Sequence, residues 1–413
     1  MRAGSPYTME MPVCSDDGRA FGAVTNRRVL IYWPHGFGDF VHLSLVVPLL
    51  EPSNEYYLTR FGDDFVHLYD GGERVHPLFS GTRALGTGAE LGARPHFGLD
   101  LDHPPDGMTR LDVPEPLRSR IEEHGIETML VCRYPEMTGR TPYPWQTKAR
   151  YLASRIVAPQ RFASIDLSQP LRSSLAFRAP SKAAERIETR LREFVPFGAR
   201  LYVLSAGGHT QSDKIWLESE VAAFASEVRR RDERARVVTV DERGSATIGR
   251  ESGLAPTTTD LFGDLDLPFA PVLVTLVRAA HAYVGVASGP LHAAIAMGGR
   301  PTVGIWLAHW PEYYDEPSPE AIHLVGPAGY RRGLDRRVGA RTKADAGVLP
   351  YRIEAFRTRP PTSTDALDAL ERGEGYSAAR AAARGAPAGA GFTFMKNASG
   401  AASAKTMAVT RKR

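Results

Sequence analysis

Five residues combine a reactive side chain with a setting that could use it: Asp39, His42, Lys214, Ser288 and His292. Asp39 follows the apolar run Arg28–Trp33 and the turn His35-Gly36-Phe37-Gly38. Gly36 and Gly38 permit close backbone approach to a ligand. A carboxylate at the start of the next helix can accept a proton from a substrate hydroxyl. A free aspartate ionises near pH ~3.9, so it is charged but weakly basic. It serves as a general base only where the hydroxyl is well positioned. The same position also suits a plain helix cap. His42 lies three residues on, on the same helix face, where it is either a catalyst or a buried hydrogen-bonded imidazole. The second turn, Ser288-Gly289-Pro290-Leu291-His292, follows the run Tyr283–Ala287. It opens a helix whose unpaired N–H groups suit phosphate. A third turn, from Ser205 through Gly207, Gly208 and His209 to Lys214-Ile215-Trp216, also joins a strand to a helix. There Lys214 offers a point charge to a diphosphate.

These turns need parallel sheets behind them. Val29 to Trp33 are too continuously apolar for a half-exposed strand. A helix from about Asp39 buries Phe40, Leu43, Val46, Val47 and Leu50, with an interruption at Pro48, which lacks an N–H. Further strands are expected at 56–59, 128–132, 201–205, 236–240, 283–287 and 302–306. Helices are expected at 148–157, at 181–194 with Ser181 as cap, along the stripe Leu217, Val221, Phe224, Ala225 and Val228, and from Pro271 and Pro290 onward. Residues 80–115 read as loop. Strands alternating with helices mean α/β with parallel sheets, and one turn per half means two doubly wound domains facing across a cleft. The expected division is a flexible N-terminal arm at 1–27, an N-terminal domain at 28–175, a C-terminal domain at 176–345, a helical segment at 346–373 and a disordered basic tail at 374–413.

The 413 residues suffice for two cores. The first 22 residues carry no apolar signal-like region, no run approaches a membrane span, and the two cysteines, Cys14 and Cys132, cannot frame disulfides. These features fit a cytoplasmic protein. Residues 375–413 contain seven basic residues and no acid, and without those seven the net charge of +4 becomes −3. The basic character therefore belongs to the tail. It fits a solubilising extension or peripheral contact with an anionic membrane; the body offers no case for nucleic-acid binding. Asp100-Leu101-Asp102 and Asp264-Leu265-Asp266 match a metal–diphosphate triplet that arises easily by chance, so no metal site is assigned. The aromatic cluster Trp306, His309, Trp310, Tyr313 and Tyr314 suits cleft lining, with Trp306 nearest the strand end, or packing between domains.

Taken together, three stretches resemble glycosyltransferase family 9, the bacterial heptosyltransferases. They are Gly38-Asp39-Phe40-Val41-His42 with its proline-containing helix, Lys214-Ile215-Trp216, and Ser288-Gly289-Pro290-Leu291-His292 with the following Ala-rich helix and strand to Trp306. The resemblance implies a GT-B fold, two Rossmann-like domains with the acceptor in the first and a nucleotide-diphosphate sugar in the second. It implies an inverting, metal-independent transfer that needs no cofactor beyond the nucleotide-sugar co-substrate. Asp39 would be the base, with His42 beside it. Lys214, Ser288, Gly289 and His292 would hold the donor diphosphate. Gly36, Gly38, Gly207, Gly208, His209 and Trp306 would line the cleft. Two positions depart from the family: Ala287 stands where an aspartate is usual, and Gly244-Ser245-Ala246-Thr247 lacks a glutamate expected near the ribose. An epimerase or hydrolase on the same fold, and a non-catalytic sugar-nucleotide binder, are the alternatives.

Overall fold

The computed structural model describes residues 7–14, 25–33, 37–60, 69–70, 74–78, 108–113, 115–131, 147–166, 169–171, 176–177, 179–207, 214–240, 255–340 and 351–383. Two six-stranded sheets form two lobes. The front lobe contains β1 (Tyr7–Cys14), β2 (Arg28–Trp33), β3 (Glu55–Arg60), β4 (Tyr69–Asp70), β5 (Val75–Pro77), β6 (Met108–Val113) and β7 (Thr128–Val131). Its sheet runs β5-β3-β2-β7-β1-β6, parallel except for the antiparallel β1–β6 pair. A short strand, β8 (Ala176–Phe177), pairs with β4. The rear lobe contains β9 (Leu201–Ser205), β10 (Arg236–Thr239), β11 (Ala282–Val286), β12 (Thr302–Trp306), β13 (Ala321–Val325) and β14 (Ile353–Ala355). These lie in the order β10-β9-β11-β12-β13-β14, all parallel.

The helices are α1 (Phe37–Val46), α2 (Glu115–Glu123), α3 (Lys148–Ile156), α4 (Pro159–Ala163), α5 (Ser181–Phe194), α6 (Glu218–Arg231), α7 (Thr258–Phe262), α8 (Phe269–Ala279), α9 (Gly289–Met297), α10 (Pro327–Ala340) and α11 (Ser363–Ala383). Pro48 acts as its chemistry requires: α1 stops at Val46 and tightens into one 3-10 turn over Val47–Leu49. Phe40, Leu43, Val46, Val47 and Leu50 are all buried.

Several expectations change. Residues 7–14, expected in a flexible arm, form β1 between β7 and β6, and Met108–Val113, expected as loop, supplies β6. Helix α11 runs to Ala383, so 374–383 are helix rather than tail; residues beyond 383 lie outside the described set. Ser181 is the first helical residue rather than the cap, the cap position being Pro180 with no side-chain bond. Helix α8 begins two residues before Pro271, which a proline tolerates because first-turn N–H groups have no intrahelical partner anyway. Among the described residues no helix is long and apolar enough to cross a membrane.

Strand order places the two glycine turns. In the rear sheet the chain runs from β9 outward to β10, then returns to the other side of β9 at β11. In the front sheet it leaves β2 for β3 on one side and later adds β7 on the other. Both turns therefore sit at topological switch points, where open α/β sheets bind ligands. A buried polar clamp joins the lobes. Glu316 of the rear lobe accepts from Arg150 Nε of α3 at 3.1 and 3.2 Å, from Arg150 Nη2 at 3.1 Å, from Leu171 N at 3.0 Å and from Thr147 Oγ1. With this many donors the buried carboxylate is fully satisfied, which a buried ion pair needs if it is not to destabilise.

Within the rear sheet, His323 is buried and its Nδ1 accepts from Trp306 Nε1 at 2.9 Å. Protonation would remove that acceptor. Burial, with a smaller contribution from His292, lowers the imidazole pKa to about 4. A free histidine titrates near ~6.5, so below that pH the unfolded chain takes a proton that the folded chain refuses. Stability is whole above pH ~6.5 and falls with acidification until about pH 4, by about 3 kcal/mol for this group. Melting temperature against pH is expected to drop over this window, and His323→Gln to flatten the slope.

Candidate active site

The apolar β2 ends at the first glycine turn, and α1 starts immediately with Asp39 in its first turn, where an acid is favoured by the helix dipole. Gly38 lies directly against the start of α9. A Cβ on Gly38 would come 2.8 Å from His292 Cδ2 and 3.1 Å from Gly289 Cα. One on Gly289 would come 3.0 Å from Gly38 N and from Phe37 Cδ1. Only residues without side chains allow this approach, and it sets the two turns against each other. Ser288 stands at the N-cap of α9, its Oγ 3.3 Å from Ser205 Oγ at the end of β9.

The Asp39 side chain is 25% exposed and pairs with Lys148 Nζ at 2.6 Å, itself 11% exposed. Lys148 begins α3, and Thr147 caps that helix by accepting from Arg150 N. The Lys148 ammonium also lies 4.6 Å from the Tyr314 ring centroid, a cation–π contact. Tyr314 stacks on His292, with centroids 5.9 Å apart and rings 10° from parallel. Its phenol pKa is raised, mainly by burial and then by Tyr313 and Asp39.

Positive charge gathers on the other side of Tyr314. His309 lies 5.1 Å from that ring, and its Nδ1 accepts from Arg332 Nη1 at 2.8 Å. Burial, then Lys214, Arg332, Lys148 and His292, lowers the His309 pKa to about 3. His309 is thus a neutral imidazole among three cations, Lys148, Lys214 and Arg332. Together with the open end of α9, this environment can accept a polyanion.

His42 takes the buried one of the two places its spacing allows. It is 1% exposed, and its ring lies 4.9 Å from that of His292, behind the turn. Burial, followed by His292 and Lys148, holds its pKa well below the ordinary value. His292 Nδ1 lies 2.7 Å from Asp315 Oδ1, which fixes the ring. Trp306 does not line the cleft. It is 0% exposed and packs beneath the site, its indole committed to His323. Gly207 follows β9 and is half-buried. Gly36, Gly208 and His209 lie outside the described residues, as do Asp100 and Asp102. Asp264 pairs with Arg190 at 2.6 Å on the surface.

Sequence reasoning did not identify Lys148, Asp315 and Glu316. Lys148 looked like one more polar helix residue, and nothing local marks a partner 109 positions away. Asp315 and Glu316 directly follow the aromatic cluster, and two adjacent acids in so apolar a stretch were the available signal.

Two Rossmann-like lobes that meet at a pair of glycine turns define the GT-B architecture. The family the chain resembles is glycosyltransferase family 9 (heptosyltransferase), whose model matches residues 150–331. A glycosyltransferase family 9 structure from Veillonella parvula aligns with a TM-score of 0.52 at 12% identity, covering 84% of this chain and 97% of that one. The ADP-heptose lipopolysaccharide heptosyltransferase II of Escherichia coli aligns with a TM-score of 0.50 at 12% identity, covering 84% and 98%. At that identity the two structures speak for the fold. No curated protein matches this chain significantly by sequence.

The close approach of the turns carries an expectation. Gly38→Ala forces His292 and the Gly289 backbone apart, which should cost about 1–3 kcal/mol and lower the urea midpoint. Gly375→Ala, whose Cβ meets nothing within 4 Å, should leave it unchanged or raise it slightly.

Proposed function

We propose that this protein transfers a sugar from a nucleotide-diphosphate sugar to a hydroxyl of a glycan, lipid-linked or metabolite acceptor, with inversion and without a metal ion on the diphosphate. The observation that carries the reading is Asp39, which stands against Lys148 at the mouth of α9, beside the cations around His309. Asp39 takes the proton from the acceptor hydroxyl. The oxygen then bonds to the anomeric carbon as the bond to the diphosphate breaks and its electron pair leaves with the phosphate oxygen. One in-line displacement inverts the centre. The departing charge meets the N–H groups of Gly289 and Leu291, Pro290 between them having none, together with Lys214 and Arg332, as preorganised electrostatics. Lys148 neutralises Asp39 before transfer. Once the carboxylate holds the proton, the ammonium charge is left for the leaving group. Ser288 and His292 border the same helix end.

Asp39→Asn is expected to lower kcat by at least ~100-fold, the usual span for a lost general base being 10²–10⁴, with nucleotide-sugar affinity within a few-fold of wild type. Near-normal turnover in that variant would remove Asp39 from the reaction. The base and sugar can be found by thermal shift against nucleoside diphosphates and their sugars, since a ligand that binds only the native state raises its melting temperature. Consumption of donor in the absence of any acceptor would point instead to an epimerase or hydrolase. Product of retained anomeric configuration, or a rate that rises steeply with added Mg2+, would contradict the displacement described.

A further inference from the structure

Behind the glycine turns lies a cavity of about 190 Å³, bordered by Val41, His42, Leu45, His292, Ile295 and Asp315. His42 comes from α1 of the front lobe. His292 and Asp315 come from the rear lobe. All three are buried, and one donor atom from each lies within 4.8 Å of the others. Two buried polar atoms of this cluster, His42 Nε2 and Asp315 Oδ2, make no hydrogen bond among the described residues. An unpaired donor or acceptor in such a place costs free energy. Glu316, on the same wall, does not share this lack, because Arg150, Thr147 and the Leu171 amide occupy its oxygens.

We propose that His42, His292 and Asp315 form a binding site for one divalent transition-metal ion, Zn2+ or Fe2+, that bridges the two lobes behind the catalytic turn. Two imidazoles and one carboxylate are a donor set that suits these ions rather than Mg2+ or Ca2+, which take oxygen ligands. Bonds of about 2.1 Å place tetrahedral donors roughly 3.4 Å apart, so a pair at the 4.8 Å limit must close by about 1.4 Å, while the 2.7 Å hydrogen bond between His292 Nδ1 and Asp315 Oδ1 must open if both atoms bind the ion. Side-chain rotation supplies this, and the cavity leaves space for a water on the remaining position. The ion is not the counter-charge of the diphosphate. It would tie α1 to α9 from behind and hold Asp39 at its distance from the α9 terminus.

The test measures binding rather than turnover, so its result is independent of whether sugar transfer occurs. Full-length protein stripped with EDTA and dialysed is titrated with Co2+ and with Zn2+. Wild type should bind one equivalent of Co2+, with visible d–d absorption, and Zn2+ should displace it and raise the melting temperature by several degrees. Asp315→Asn and His42→Ala, checked for folding by circular dichroism, should each weaken binding at least tenfold, while Asp39→Asn should bind as wild type. X-ray absorption of the Zn2+-loaded wild type should show two imidazole nitrogens with oxygen at about 2.0–2.1 Å, which keeps the test decisive even if both variants unfold. Absence of binding at 0.1 mM metal, as expected if only water fills the cavity, would overturn the site. Unchanged binding in both folded variants, or a sulfur-containing shell, would do the same.

Discussion

The contact between Gly38 and Gly289 is the constraint on which the site rests. It brings together the N-termini of α1 and α9, each carrying roughly half a positive charge from its aligned peptide dipoles. Two such ends in contact repel unless negative charge lies between or beside them. Asp39, in the first turn of α1, supplies part of that charge, and a bound diphosphate would supply more. The geometry that excludes side chains from the turns therefore also creates an unmet demand for an anion. Lys148 sharpens it from the front-lobe side, its ammonium neutralising the Asp39 carboxylate while it lies against the Tyr314 ring.

The connection between β12 and β13 organises the rest. Within a few residues it provides His309 for the cation cluster, Tyr314 to stack on His292, Asp315 to fix the His292 ring and Glu316 to receive Arg150. Loops carry function when a rigid scaffold positions them, and here the scaffold is the fully buried β12 and β13. Ala287, in the position where the family usually has an aspartate, removes a carboxylate from the strand end. Asp315 brings one to His292 from a different element.

Much of the scaffold was legible because it obeys local rules. The apolar runs that became β2, β9 and β12, and the 3.6-residue stripe of α6, need no distant partner to be recognised, and Pro48 announced the end of α1. The edge of the front sheet was harder. Tyr7, Met9, Met11 and Val13 alternate with Thr8, Glu10, Pro12 and Cys14, a period-two pattern, but Pro12 demotes it, and its partner β6 lies about 100 residues away beyond a Gly- and Pro-rich stretch. At the site, residue type and turn context pointed to Asp39, Ser288 and His292. They could not show that Lys148 reaches Asp39, a contact between two front-lobe helices 109 positions apart in the chain, or that His42 meets His292 across the boundary between the lobes. Trp306 misled for a reason within its own lobe: an aromatic at a strand end reads as cleft lining until His292, Tyr314 and His323 are seen to cover it.

The Glu316 clamp has a bearing on motion. Arg150 and Glu316 are both buried, and separating them would strand two bare charges, a loss of about 3–5 kcal/mol. A rigid swing of one lobe away from the other is therefore resisted at this point more than elsewhere on the boundary. The pivot of any opening would then run close to Glu316, with Asp39 near it, since Lys148, its partner, lies two positions from Arg150, and the exposed Arg332 would lie nearer the moving rim. Substrates would enter through a wedge-shaped gap hinged at its inner edge, and the pivot would stay dry while the rim floods and drains with each cycle.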